Sequence, residues 1–261
     1  MQFPFQATPR VTDDVTGVQR IRSYDIRVAA QHYANIAGLL GGFAFTIIIL
    51  VTQENDAFFS GAEVTRRNLA AVGFFIAFFG CLLASFVFGL IASEEALTSR
   101  ATHMAFFAGI GFSLSISLLF WSLATILRAF LVEDIARIAY QIFPLFVIAH
   151  PIYVLASILD DIYIFNCRKP MLREYVHLLQ FSIPPLLGAI VLRWLGLVID
   201  IEYTLAVFHI LMGCFVGLIL LNMMAAALCS TTGDYFRLPL SAISIWMGIN
   251  TTLIGILLIL V

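Results

Sequence analysis

Residues 68–92 read NLAAVGFFIAFFGCLLASFVFGLIA, a run with no charged side chain. A helix needs roughly 20 apolar residues, at 1.5 Å rise each, to cross the hydrocarbon of a bilayer. This run meets that length. The same rule gives seven spans over the whole chain, at about 31–52, 68–92, 103–131, 137–163, 175–199, 204–229 and 238–260. Inside hydrocarbon every backbone N–H and C=O must be paired within its own segment, so the spans are helices. Barrel-type alternation is absent. The expected fold is an all-α integral membrane protein, a bundle of seven helices with short loops.

Composition agrees. Hydrophobic residues make up 61% of the chain and charged residues 11%, with a mean hydropathy of +1.00. Soluble domains carry about 25% charge. Phenylalanine, which is favourable in hydrocarbon, occurs 24 times. The formal net charge of −2 gives no reason to expect nucleic acid as a partner. The four cysteines form no CxxC motif. Cys81 and Cys214 fall in mid-span, Cys229 at a span end and Cys167 in a loop, which suits small buried hydrophobes better than a disulfide framework. The polar opening stretch and the long first apolar segment predict a permanent span rather than a cleaved signal peptide.

The loops set the organisation. Glu133 and Asp134 separate the third and fourth spans, and Asp200 and Glu202 the fifth and sixth. A carboxylate at the bilayer centre costs a few kcal/mol, so the chain breaks there. The longest loop, 53–67, is too short to fold into a catalytic domain. Residues 31–261 therefore form one transmembrane domain. Residues 1–30 form a cytoplasmic amino-terminal segment in which Val15, Val18 and Ile21 recur at helical spacing among charges. That pattern predicts a short amphipathic helix at the interface. With the amino terminus inside, the cytoplasmic segments hold nine arginine or lysine residues against five outside. The positive-inside rule favours that orientation, with the carboxyl terminus on the opposite side. The cytoplasmic (plasma) membrane is the expected location.

Small residues recur every third or fourth position. Span two carries Gly73, Ala77, Cys81, Ser85 and Gly89, and span three Ala105, Gly109, Ser113 and Ser117. Span six carries Gly213 and Gly217, and span seven Ser241, Ser244, Gly248 and Gly255. Lipid tails are as apolar as leucine, so helices associate by close approach rather than by hydrophobicity, and small faces permit it. These are predicted packing faces, within the chain or between subunits.

Polar stripes give the candidate functional residues. His150, Tyr153, Ser157 and Asp161 share a quadrant of span four, next to Pro151. A carboxylate in line with a histidine can carry protons or bind a cation. Gln31, Asn35, Gly38, Gly42 and Thr46 share a face of span one, and Ser113, Ser117, Trp121 and Arg128 a face of span three. Asn35, Thr46, Ser113, Ser117, His150, Tyr153, Ser157 and Asp161 are the candidate polar path. Each stripe also reads as plain helix packing. Arg193 has Asp200 as a possible same-face partner, and Pro184-Pro185 interrupts span five. No histidine spacing enforces a haem pair, and no HxxxH set suggests a metal hydrolase. No catalytic, cofactor or metal residues are assigned; bound lipid is the one expected ligand.

Two large seven-helix families are not matched. A retinal protein needs a lysine in the last helix, and here that helix has none. A G-protein-coupled receptor motif is missing from both span three and span seven, where the chain has Val132-Glu133-Asp134 and Asn250-Thr251-Thr252. The sequence predicts a homo-oligomeric channel or transport-type protein for an ion or small solute. The alternatives are a non-catalytic accessory or scaffold subunit of a larger membrane complex, and a membrane-embedded enzyme or redox protein. Partners are membrane lipid together with further copies or other membrane subunits.

Overall fold

The computed structural model describes residues 11–12, 19–20, 26–53, 61–94, 99–130, 135, 138, 171–195, 205–232 and 238–259. Seven helices are described: α1 (Ile26–Gln53), α2 (Gly61–Ser93), α3 (Ser99–Ala129), α4 (Leu172–Leu179), α5 (Ile183–Trp194), α6 (Leu205–Cys229) and α7 (Leu240–Ile259). Five of them are long and apolar enough to cross a membrane, and α4 with α5 makes a sixth candidate span, bent by 55°. Of the expected fourth span, 137–163, only Ile138 is among the described residues.

Before Ile26 only two short pieces are described, and Val15, Val18 and Ile21 lie outside the described residues. Val11–Thr12 pairs antiparallel with Gln19–Arg20 as two short strands, β1 and β2. β-branched residues such as Val11 and Thr12 favour extended backbone over helix. Among the described residues the first helix starts at Ile26.

The break between α4 and α5 has a clear cause. Pro184 and Pro185 sit in the first turn of α5. There a missing N–H removes no intrahelical bond, so proline is tolerated. The chain therefore bends just upstream, at 180–182. The bend frees carbonyls at the end of α4, and the Ser244 hydroxyl on α7 donates to His177 O and Leu178 O. Gly248 lets α7 approach that bend. A Cβ placed there would lie 2.7 Å from Phe181 Cβ and 2.9 Å from Phe181 O. Two turns further on, a Cβ placed at Gly255 would lie 3.2 Å from Pro185 O. The pairing order shows that α5 and α7 run parallel.

α1, α2 and α3 form consecutive antiparallel hairpins. Gly73 lies against Ser122 and Trp121, and Gly80 against Ser115 and Ile219. Glycines seven apart on α2 thus receive serines seven apart on α3. Ser122 Oγ is buried with no hydrogen-bond partner among the described residues. Its seat against Gly73 is the close approach that Cα–H···O contacts between helices use. On the other side of α2, a Cβ placed at Gly41 would lie 3.5 Å from Cys81 Cβ, and Ser85 Oγ donates to Ala34 O at 2.9 Å. α6 packs on α3 and α2, with Trp121 stacked on Phe208 at 5.6 Å between ring centres. α7 packs on α5, α4 and α3 and barely touches α6. Of the five long spans, α3 is the most enclosed and α1 the least. The outer surface is apolar: Leu39 is 75% exposed and Ile210 69%.

One end of the bundle gathers the starts of α3, α4 and α7 with the ends of α2 and α6. Arg100 pairs with Glu94 and donates to Thr232 O at 3.2 Å. Leu238 N–H donates to His103 Nε2 at 3.1 Å. At the opposite end Arg193 donates to Leu258 O at 2.6 Å, capping the last turn of α7 where a cation suits the helix dipole. The chain thus leaves α3 at one end and enters α4 at the other, the parity that a seven-span count requires.

The α2–α3 seam makes a contrast test. Gly80→Leu overpacks it and lowers detergent stability by about 1–3 kcal/mol. Gly89→Leu, where an added Cβ meets nothing within 4 Å, leaves the unfolding midpoint in place. Equal losses at both positions would refute the seam.

Candidate functional site

The four described path residues, Asn35, Thr46, Ser113 and Ser117, lie on separate faces of α1 and α3 and do not converge. Asn35 and Thr46 are exposed on the outer side of α1, opposite its buried stripe of Ala30, Ala37, Ala44 and Val51. The Thr46 hydroxyl donates to Gly42 O at 2.9 Å. Gln31 and Asn35 make no hydrogen bond among the described residues. Ser113 is half-buried and Ser117 buried on α3. Ser113 donates to Gly109 O and Ser117 to Ser113 O, each at 2.8 Å. Both hydroxyls are satisfied by the carbonyl one turn back, as serine in a membrane helix permits. His150, Tyr153, Ser157 and Asp161 lie outside the described residues.

The packing residues divide by position. Gly73, Ala77, Gly109 and Gly248 are buried, and Ser85 is half-buried between α2 and α1. Gly89, Gly213 and Gly217 are exposed, with nothing within 4 Å of an added Cβ. Gly217 lines an apolar groove of about 440 Å³ between α6 and α7, with Cys214, Leu218, Ile249, Thr252, Leu253 and Ile256. A second cavity of about 450 Å³ opens at the starts of α4 and α7, lined by Met171, Arg173, Glu174, His177, Leu240 and Ser241. Glu174 is committed there, since its carboxylate accepts from Met171 N–H at 2.8 Å.

The best-defined polar constellation was not anticipated from sequence. Asn222 of α6 and Asn250 of α7 are both fully buried. Asn222 Nδ2 donates to Asn250 Oδ1 at 3.0 Å and to Leu218 O at 2.8 Å. Trp246 Nε1 donates to Asn222 Oδ1 at 2.8 Å, and Asn250 Nδ2 donates to Trp246 O at 2.8 Å. Gly111 of α3 makes room beside it, lying against Met223 and Asn222. This network ties α6 to α7 where they otherwise scarcely meet. The available signal was two lone amides in apolar runs. Such groups need interhelical partners in hydrocarbon.

The described histidines stand apart. His103 accepts from Leu238, His177 Nδ1 lies 3.2 Å from Gln180 Nε2, and His209 is exposed. Among the described residues no three His, Cys, Asp or Glu side chains gather as a metal would require. Arg193 turns to the carboxyl end of α7, and Asp200, its expected partner, lies outside the described residues.

No family model, curated protein or solved structure matches this chain. The chain is a helical membrane protein by its own geometry.

The amide network predicts measurable coupling. Asn222→Leu and Asn250→Leu each lower stability in detergent by about 1–2 kcal/mol. The double variant costs less than their sum, because the second change removes a partner already lost. Strict additivity in thermal unfolding would show the two amides to be independent.

Proposed function

We propose that this chain is a homo-oligomeric membrane protein of channel or transport type, for an ion or small solute, whose path runs between copies. The observation that supports this is the division of polar groups in the bundle. Among the described residues the interior is closed. Trp121, Phe74 and Phe106 fill it. Ser115, Ser117 and Thr125 donate to their own helix, and the buried amides satisfy one another. The open polar groups, Gln31 and Asn35, stand on the outer face of α1 with Gly38, Gly42 and Thr46. A water-filled route lined by that face needs more than one copy. His150, Tyr153, Ser157 and Asp161 remain in this proposal as a second polar stripe for proton or cation transfer. The reading carries the orientation favoured by the arginine count, with the amino terminus in the cytoplasm and the plasma membrane as the site.

A second reading is an accessory subunit of a larger membrane complex. The closed interior favours it, because such a subunit needs no path, and the α1 face would then meet another protein.

Purified protein in liposomes is expected to pass an ion or small solute, and Asp161→Asn to change that flux or its pH dependence. No flux under any gradient or voltage, from a preparation that is monomeric, overturns the transport reading. Stoichiometric co-purification of other chains in its place supports the accessory one.

A further inference from the structure

We infer that copies of this chain associate through the outward face of α1, with Asn35 amides of neighbouring copies hydrogen-bonded to each other. The inference rests on the homo-oligomeric reading above and names its interface.

Depth carries the argument. Ser85 Oγ donates to Ala34 O, so Asn35 is level with Ser85 on α2. Ser85 lies nine residues, about 14 Å at 1.5 Å per residue, inward from Glu94. On α1 itself Asn35 is eight residues, about 12 Å, inward from Arg27. The charges of Arg27, Glu94 and Arg100 mark the headgroup level at this end. Asn35 is therefore within the hydrocarbon, where lipid offers its amide neither donor nor acceptor.

Nor does α1 supply a partner. Asn222 and Asn250 each donate to the carbonyl one turn back, Leu218 O and Trp246 O. Asn35 makes no such bond among the described residues. Thr46 is already satisfied by Gly42. An amide carries two N–H donors and a carbonyl acceptor and so complements a second amide. Copies inserted with one topology present Asn35 at one depth, so around an axis normal to the membrane amide meets amide by construction. A different protein would have to carry a matching group at that depth. Gly42 sits two turns along the same face with open space beyond it, which lets a second α1 come close.

Cross-linking in membranes tests this. In a background with Cys167 and Cys214 replaced by serine, Gly42→Cys is oxidised, with Thr46→Cys as a second position on the same face. The expected product is a reducible homodimer. Phe86→Cys, 66% exposed on α2, gives none. Asn35→Leu weakens association roughly threefold to thirtyfold, and Asn35→Gln retains it. If neither α1 cysteine cross-links while the parent chain still runs as an oligomer, this interface is wrong and the oligomer stands. A monomeric parent chain overturns both. Cross-linking to a different polypeptide overturns the second copy as occupant.

Discussion

In hydrocarbon a backbone carbonyl that loses its intrahelical donor must find another, and the most irregular part of this fold is arranged around that requirement. The 55° bend between α4 and α5 is such a place. Prolines fill positions where no N–H is needed, and a serine on α7 takes up the freed carbonyls of His177 and Leu178. That serine reaches them because Gly248 lets α7 lie directly on the Phe181 backbone. The broken span and α7 therefore form a unit. α7 completes the hydrogen bonding of its neighbour and is itself capped by Arg193 from α5. A break that in water would be hydrated is here solved inside the protein, which fixes where α7 must stand.

The rest of the bundle depends on close approach, and here the sequence is legible in part. The described spans and their rough limits followed from apolar length alone, because insertion into lipid reads only length and hydropathy. The small-residue faces were harder. A strict four-residue step advances about 400° and so drifts about 40° each time. From Gly73 to Gly89 that sums to about 160°, and the stripe winds from α3, past α1 at Cys81 and Ser85, to the open surface at Gly89. The spacing that stays on one seam is seven, as in Gly73 with Gly80 and Ser115 with Ser122. Gly80 was visible in the sequence, but its role required knowing which helix lay across from it. The bend was signalled by Pro184-Pro185. Its position upstream of them follows from proline's preference for a first helical turn, not from the residue run itself.

Polar residues in membrane helices differ in what they disclose. A serine or threonine hydroxyl can donate to the carbonyl one turn back, as Ser113, Ser115, Ser117, Thr46 and Thr125 all do. A stripe of hydroxyls therefore says little about a path, because each member can be satisfied without a neighbour. An amide cannot be. It has two donors and an acceptor, and its own helix offers only a carbonyl one turn back for one of those donors. Asn222 and Asn250 meet the remainder across α6 and α7, with Trp246 as the third partner. They are the residues that specify how those helices pair, although no stripe drew attention to them.

The same reasoning separates Asn35 from the other path candidates. Its depth is fixed by the Ser85 bond to Ala34, and its direction by the alanine stripe on the far side of α1. Both follow from packing within one chain. The unmet donors and acceptor then belong to whatever lies beyond α1. Lipid supplies nothing for them, and the buried amides Asn222 and Asn250 are already engaged with each other and with Trp246. Among the described residues, a polar route between α3, α6 and α7 would have to displace the stacked Trp121 and Phe208 and open the closed amide network, undoing the contacts that position α6 and α7. A route along α1, between copies, requires none of these to move.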